Sequence, residues 1–482
     1  MNDAASIYEH QPSFYADHQK VYPQRVSGPF RRLKWAILAL TLGAYYLLPF
    51  VRWDRGPNAP DQAILVDFPG SRFYFFFIEL WPQEVYYFTG LLILAAVALF
   101  LMNALAGRVW CGYTCPQTVW TDLFLAVERW TEGDRRARMN LDAAPWTPDK
   151  VARKSAKHLM WLIIAWWTGG AWVLYFADAP TLVHDLATFQ APMTAWMWIG
   201  ILTFTTYMLA GFAREQVCTY MCPWPRIQAA LTDEDALNVT YRIDRGEPRT
   251  SLKKAAALEA KGKHVGDCVD CFQCVAVCPT GVDIRNGLQL ECIQCGLCID
   301  ACDAVMSRVG RPTGLIGYDT DLNIARRLEG KPTRIRFIRP RTIVYAAILV
   351  TVGAIMVTQL LIRSDFGVSV LHDRNPLFVQ LSAGGLRNGY TVRLLNKRLE
   401  PRAFTLDVTG LPGSRLEVVG VDHAAGEAPA VVVEPDTTRA VRVLVFAPSA
   451  GATGSVPVTF EAVDRATGRR MTAQDFFKGP GK

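Results

Sequence analysis

Cys268-Val-Asp-Cys271-Phe-Gln-Cys274-Val-Ala-Val-Cys278-Pro279 is followed by Cys292-Ile-Gln-Cys295-Gly-Leu-Cys298-Ile-Asp-Ala-Cys302. Both stretches read C-x2-C-x2-C-x3-C. Three close cysteines wrap one face of a cubane, and in the bacterial ferredoxin pattern the fourth reaches the other cluster. The spacing therefore predicts two [4Fe–4S] clusters. Cys268, Cys271, Cys274 and Cys302 are expected to hold one, and Cys292, Cys295, Cys298 and Cys278 the other. A zinc ribbon also uses C-x2-C pairs, but it needs two pairs rather than two runs of four. Asp303 stands where the pattern has proline. Proline is not a ligand, so the ligand set survives and only the local turn changes.

All 12 cysteines fall between Cys111 and Cys302, in tight groups. Grouped thiols point to metal ligation in a reducing compartment rather than to disulfides. Working outward, two further groups appear: Cys111-Gly-Tyr113-Thr-Cys115-Pro116 and Cys218-Thr-Tyr220-Met-Cys222-Pro223. Both read C-x-Y-x-C-P and each follows an apolar run, as an internal repeat of a two-span unit would. On a helix, i,i+4 spacing puts both sulfurs of a pair on one face. Two such pairs brought together offer four thiolates, which suit Cu(I), zinc or iron. The alternatives are reduced cysteines with a structural role, or dithiols that cycle through a disulfide.

Five apolar runs approach the roughly 20 residues needed to cross a bilayer as a helix. They lie near Trp35–Val51, Tyr87–Ala106, His158–Ala177, Met193–Ala213 and Thr342–Ile362. No cleavable leader pattern precedes the first, so that run is expected to stay as an anchor. Lys/Arg placement sets the orientation. Basic residues crowd the N-terminal segment, residues 108–157 and residues 331–341, while Asp178–Pro192 has none. The N-terminus is therefore expected in the cytoplasm and, after five crossings, the C-terminus in the periplasm. The net charge is +7, with basic residues beside apolar runs, which suggests membrane orientation rather than nucleic-acid binding.

The expected fold class is a multi-domain membrane protein. Residues 1–34 form a cytoplasmic segment. Residues 35–214 hold four transmembrane helices, with the C-x-Y-x-C-P motifs at their cytoplasmic side. Residues 215–341 form a cytoplasmic two-cluster ferredoxin-like domain, and 342–362 complete a five-helix transmembrane bundle. Residues 363–482 contain no cysteine and read as short strands between turns: Leu377–Leu381, Tyr390–Asn396, Phe404–Val408, Leu416–Val419, Ala430–Glu434, Arg439–Phe446 and Val456–Val463. That pattern predicts a periplasmic immunoglobulin-like β-sandwich. After Pro116, apolar residues at helical spacing predict a helix that lies along the membrane surface or packs on the spans. His158, His184, His423, Met193, Met197 and Met208 read as interfacial, solvated or packing residues rather than ligands.

The chain resembles the CcoG family, also called FixG or RdxA, across nearly its whole length. The residues that carry the resemblance are VYPQRVSGPFRRLKW, VWCGYTCPQTVW, VCTYMCPWPRIQ, the paired ferredoxin motifs, NPLFVQLSAGGLRNGYTVRLLNK and EPRAFTLDVTGLPG. The resemblance implies an inner-membrane protein of cbb3-type cytochrome oxidase assembly. It also implies a cupric reductase that converts Cu(II) to Cu(I), with copper handled by Cys111, Cys115, Cys218 and Cys222. The partners it implies are the membrane, a cytoplasmic electron donor or quinol, a copper carrier or transporter and the oxidase assembly machinery; a homodimer is compatible with it. The chain is also similar to membrane ferredoxins of the NapH type. A quinol-linked electron carrier is therefore the first rival, and a non-enzymatic assembly factor the second.

Overall fold

Pro29 opens the first long helix, where a missing N–H costs nothing and the fixed φ suits the helix. In chain order the helices that frame the site are α1 (Pro29–Leu47), α2 (Tyr86–Ala106), α3 (Val109–Tyr113), α4 (Pro116–Glu132), α5 (Arg135–Ala143), α6 (Pro148–Val173), α7 (Ala179–Ala187) and α8 (Met193–Thr206). The computed structural model describes residues 20–56, 59–382, 384–421, 428–448 and 454–480. His423 lies outside the described residues.

Among the described residues four helical stretches are long and apolar enough to cross a membrane: Pro29–Phe50, Pro82–Ala106, Met193–Ala213 and Pro340–Ile362. The third expected crossing differs from them. It belongs to α6, whose first turns carry Asp149, Lys150, Arg153, Lys154 and Lys157, so only its later half is apolar. α6 packs closely on α8 at a glycine. A methyl group added at Gly169 would stand 2.9 Å from the carbonyl oxygen of Ile199 and 3.1 Å from the amide of Thr203. Small residues at such contacts let two helix backbones approach in an apolar setting.

The chain divides into two units, residues 1–51 with 62–356 and residues 52–61 with 357–482. In the first, a small antiparallel sheet fills the loop after α1: β1 (Ile64–Asp67), β2 (Arg72–Phe75) and β3 (Ile78–Leu80). β4 (Asn238–Tyr241) and β5 (Ile316–Asp319) pair antiparallel, Asn238 opposite Asp319. They bracket both cysteine runs in sequence, so their pairing closes the cysteine-bearing segment into one module. Val239, Tyr241, Ile284, Ile299, Met306 and Leu315 form its core together with the cysteines.

The second unit holds two antiparallel sheets. Its strands are β6 (Phe366–His372), β7 (Val379–Gln380), β8 (Leu386–Asn396), β9 (Arg402–Thr409), β10 (Arg415–Val418), β11 (Ala430–Val433), β12 (Thr437–Ala447), β13 (Ser455–Asp464) and β14 (Arg470–Lys478). One sheet runs β10-β12-β8-β6, with β7 also on β8, and the other runs β11-β9-β13-β14. Tyr390, Val392, Val443 and Val445 of one sheet and Phe404, Leu406, Phe460 and Phe477 of the other make one buried core. All seven expected strands are present, the first reduced to Val379–Gln380. β6 and β14 are additional. Apolar side chains alternate on β9, which is the period of a strand with one buried face.

Candidate metal centres

The two cysteine runs adopt the same local backbone. Asp270 (φ 50°) and Phe272 (φ 56°) in the first match Gln294 (φ 56°) and Gly296 (φ 73°) in the second. A left-handed non-glycine residue costs about 1–2 kcal/mol, so three of these four positions store strain that the surroundings must hold. In the first run Arg285 holds it. Its guanidinium donates to Asp270 at 2.6 Å and to Asp283 at 2.7 Å, and lies 4.1 Å over the Phe272 ring. In the second run Gln294 is gripped from outside the loop. Its Oε1 accepts from the Arg108 amide at 2.9 Å, and its Nε2 donates to Asn238 Oδ1 at 2.5 Å. Tyr318 donates to the Gln294 carbonyl at 2.6 Å.

The buried thiols have other thiols as their electrostatic neighbours. Burial pushes the Cys302 thiol up to about 12, and the nearby charges of Cys274, Asp303, Cys268 and Cys271 add to it. Burial likewise pushes Cys292 up to about 12, with Cys278 and Cys295 as its thiol neighbours. Burial raises Cys298 well above the usual thiol range, followed by Cys295, Cys292, Cys278 and Cys274. Cys274 stands near both Cys302 and Cys298, so the two cysteine runs adjoin one another.

The donor chemistry fits iron–sulfur clusters. A cavity is lined by Cys274, Cys278, Cys292, Cys295 and Cys298 with apolar Val239 and Ile284, and no carboxylate or imidazole lines it. Buried thiols cannot ionise there without a compensating cation, and soft sulfur in a dry site suits iron. Among the described residues no three His, Cys, Asp or Glu side chains converge as single-ion ligands do.

The C-x-Y-x-C-P motifs come together, but unequally. Cys111 and Tyr113 lie in α3 and are buried. Burial pushes the Cys111 thiol up to about 12, and Cys115, Cys218 and Cys222 all lie within electrostatic reach of it. Cys218 is also pushed up to about 12, by burial and then by Cys115 and Cys222. The second motif sits in a wider helical turn, where the Cys222 amide donates five residues back to Val217 at 2.8 Å. Such wide turns recur at functional sites. Tyr220 and Met221 are exposed there.

The first motif docks directly on the second ferredoxin loop. A methyl group added at Gly112 would meet the Ile293 carbonyl oxygen at 2.8 Å and Cys295 Cα at 3.0 Å. Tyr113 donates to the Cys295 carbonyl at 3.0 Å. Arg108 donates to the carbonyls of Leu290 at 2.5 Å and Pro225 at 2.9 Å. Cys111, Ile293, Cys295 and Leu297 share one core, with Cys218 packed against it. Spacing alone did not point to Arg108, Gln294, Asn238 or Tyr318. The one available signal was Gly112, which has Thr219 as its counterpart in the second motif.

α4 is a hub rather than a surface strip. Its buried side carries Asp122, Glu128 and Glu132 among Val119, Phe124 and Val127. Asp122 pairs with Arg31 at 2.9 Å, Glu128 with Arg138 at 2.9 Å and with Arg214, and Glu132 with Lys157 at 3.0 Å. His158 hydrogen-bonds Tyr207 at 2.9 Å and stacks on Phe212, a packing role. His184 is exposed beside Asp185, and Met193, Met197 and Met208 are exposed along the fourth apolar stretch.

Comparison with known proteins bears on this arrangement. Residues 213–321 match a 4Fe-4S dicluster domain and residues 88–131 a 4Fe-4S binding domain. Residues 356–480 match the IG-like fold at the C-terminal of FixG. Nitrogen fixation protein FixG of Rhizobium meliloti is 51% identical over 460 residues, covering 90% of this chain and 87% of that protein. Protein RdxA of Cereibacter sphaeroides is 49% identical over 453 residues, covering 93% of each. Protein RdxB of the same organism is 48% identical over 476 residues, covering 97% of this chain and 98% of that protein. With half its residues shared along almost its full length, and with cysteine neighbourhoods suited to iron–sulfur clusters, the chain belongs to the FixG/RdxA family of iron–sulfur proteins.

Proposed function

We propose that this protein is a membrane-bound iron–sulfur electron carrier that reduces Cu(II) to Cu(I) in the assembly of a cbb3-type cytochrome oxidase. The observation that supports it is the seating of the Cys111–Cys115 motif on the Ile293–Cys295 loop, with Cys218 and Cys222 within electrostatic reach of Cys111. Two [4Fe–4S] clusters, when bound, supply one-electron transfer. Cys268, Cys271, Cys274 and Cys302 would hold one, and Cys292, Cys295, Cys298 and Cys278 the other. Cys111, Cys115, Cys218 and Cys222 would take copper, the substrate. Each thiol sheds its proton on binding the cation. One electron then converts Cu(II) to Cu(I), the softer ion, which thiolate sulfur favours.

The four sulfurs do not converge as single-ion ligands in this structure, so copper must draw them together. The second motif, with its wider turn and exposed Tyr220 and Met221, is the more open side. The reading includes five membrane crossings, with α6 supplying the third, the N-terminus cytoplasmic and residues 363–482 periplasmic. The Lys/Arg distribution supports it. A quinol or a cytoplasmic reductant is the electron source, and a copper carrier or transporter takes the product. A second reading has support in the match of residues 88–131, which include Cys111 and Cys115, to a 4Fe-4S binding domain. There the protein is a quinol-linked carrier without copper chemistry.

Anaerobic Cu(II) titration of the full-length, dithionite-reduced protein tests this. Cluster oxidation is followed optically and Cu(I) with a chelator. The comparison is the Cys111/Cys115/Cys218/Cys222→Ser variant with its eight other cysteines intact. Cu(I) formed in step with cluster oxidation, and lost in the variant, is the expected result. Equal Cu(I) from the variant removes the four-cysteine site, and no Cu(I) from either leaves the quinol-linked carrier.

A further inference from the structure

A cleft of about 880 Å³ opens at the start of α1, lined by Arg25, Arg31, Arg32, Arg129, Trp35 and Trp130. No carboxylate lines it. Behind it, Asp122 serves three cations: Arg31 at 2.9 Å, Lys34 at 3.7 Å and Arg129 at 3.9 Å. Arg31 Nη2 is buried without a hydrogen-bond partner among the described residues. Two more carboxylates lie near, but both accept from backbone. Asp134 takes the Arg25 amide at 2.9 Å, and Asp300 takes the amides of Phe30 at 3.2 Å and Arg31 at 2.7 Å. Five cations therefore face three carboxylates, an excess of positive charge. Burial, and then the Arg31 charge beside it, push the Arg129 guanidinium below its usual range. Arg31, Lys34 and Arg129 are the partly buried ones and share Asp122, and such charge is costly unless a further anion joins it, while Arg25 and Arg32 stand exposed at the rim.

The cleft's place narrows the anion. Arg31 and Arg32 stand in the first turn of a helix long and apolar enough to cross a membrane, and Trp35 follows one turn on. Arg31 lies 4.5 Å over the Trp35 ring, and Trp130 is 75% exposed. Tryptophan collars mark the membrane–water boundary, and clustered arginines there attract anionic lipid. We propose that this cleft binds the phosphate headgroup of an anionic phospholipid through Arg25, Arg32 and Arg129.

The consequence reaches the cysteine module. Residues 25–32 form a strap whose amides hold Asp300, and Asp300 sits between Cys298 and Cys302 on the helix Leu297–Arg308. A methyl group added at Gly28 would overlap the Asp300 carboxyl at 2.3 Å, so the strap lies flush on that side chain. A headgroup that neutralises Arg25 and Arg32 steadies the strap and, through it, the helix that carries both cysteines. The proposal does not depend on copper chemistry.

The test uses full-length protein with clusters intact, in nanodiscs of phosphatidylcholine doped with phosphatidylglycerol. Retained lipid is counted by native mass spectrometry. One phosphatidylglycerol per chain is expected, bound in preference to phosphatidylcholine. Each arginine near a membrane surface contributes about a fivefold preference, so Arg25→Gln/Arg32→Gln should weaken retention by about twenty-five-fold. Both side chains are exposed, and cluster absorbance reports that the variant is folded. If that variant loses absorbance, Arg32→Gln alone, with a fivefold expectation, takes its place. Equal retention of phosphatidylcholine, or unchanged retention in the folded variant, overturns the proposal. Displacement of the lipid by millimolar inorganic phosphate would make the cleft a free-anion site and overturn the membrane source.

Discussion

The two C-x-Y-x-C-P motifs share a sequence pattern but are held by different forces. The first is held by shape. Gly112 lies against the backbone of Ile293 and Cys295, and Tyr113 is buried with its hydroxyl on the Cys295 carbonyl. The second is held by charge and by its ends. Arg214, just before it, is in a left-handed conformation (φ 40°) and pairs with buried Glu128. Gln117 reaches across to the Arg214 carbonyl at 3.2 Å. Repetition of a motif therefore does not imply repetition of a role. One copy is fixed to the ferredoxin loop, and the other faces outward with Tyr220 and Met221 exposed. Electron delivery and copper exchange would divide along that line.

The largest effect expected is on the charge-held copy. Removing one partner of a buried ion pair costs about 3–5 kcal/mol, because the other charge stays buried. Glu128→Gln should therefore loosen residues 214–222, with Arg214, Arg138 and Lys157 left short of a counter-charge. Hydrogen exchange checks it, with residues 109–113 as the internal control. Acid should act in the same way. Burial alone would push the Glu128 carboxyl up, but Arg214, Lys157 and Arg138 together hold it below the usual glutamate range. A depressed carboxyl contributes its stability in full above the ordinary value of about 4.3, and loses it as pH falls through the folded value. Exchange at 214–222 should thus rise below about pH 4 ahead of exchange at 109–113. Simultaneous loosening of both copies would erase the distinction.

The shape-held copy should break at Gly112. The atoms that a side chain would strike there belong to backbone, so they cannot swing aside. Gly112→Val should cost about 3 kcal/mol as overpacking does and displace the second cysteine loop. Iron content should then fall by about half if each cysteine set holds one cluster. Thr219→Val, at the matching place in the second motif, should keep its iron. Iron retained in both variants would mean that the first motif is not seated as described.

What could be read from the sequence followed from chemical demand. Cluster ligation needs thiols at fixed spacing, so the two cysteine runs and the 4Fe-4S character of residues 213–321 were legible. Six of the seven expected C-terminal strands show the alternation or β-branched runs that a half-buried sheet needs, and they stand where expected. β6 was missed because FGVSVLH follows a helix directly and offers no turn signal before it. β14 was missed because RMTAQDFFK is mostly polar, as an edge strand of its sheet can be. β1–β3 lie between the first two expected crossings, where the turn at Gly70 joins two strands of only four residues each. α6 shows the opposite limit. Its apolar half was read as a crossing, but the charged half of the same helix engages α4 through Lys154 and Lys157. The asymmetry of the repeat was legible only at Gly112, because pairing partners far along the chain, such as Gln294, leave no local periodicity.

The smallest expected effect is the most specific to that asymmetry. Tyr113 and Tyr220 occupy the same place in the repeat, so phenylalanine in either removes one hydroxyl and nothing else. At Tyr113 that hydroxyl donates to the Cys295 carbonyl at 3.0 Å in a buried setting. Its loss leaves a buried acceptor short of a partner, worth about 1 kcal/mol. At Tyr220 the side chain is exposed, and Tyr220→Phe should fall within about 0.5 kcal/mol of the parent, as surface changes usually do. A merely structural contact would move only the melting temperature. A contact on the carbonyl of a proposed cluster ligand should also change the reduction potential, since hydrogen bonds around the sulfurs help set it. The measurement is a pair of anaerobic redox titrations. Tyr113→Phe should shift one of two waves and Tyr220→Phe neither. Equal curves would show that the hydroxyl only packs the first motif in place, and would move the functional difference between the copies onto the exposed turn of the second.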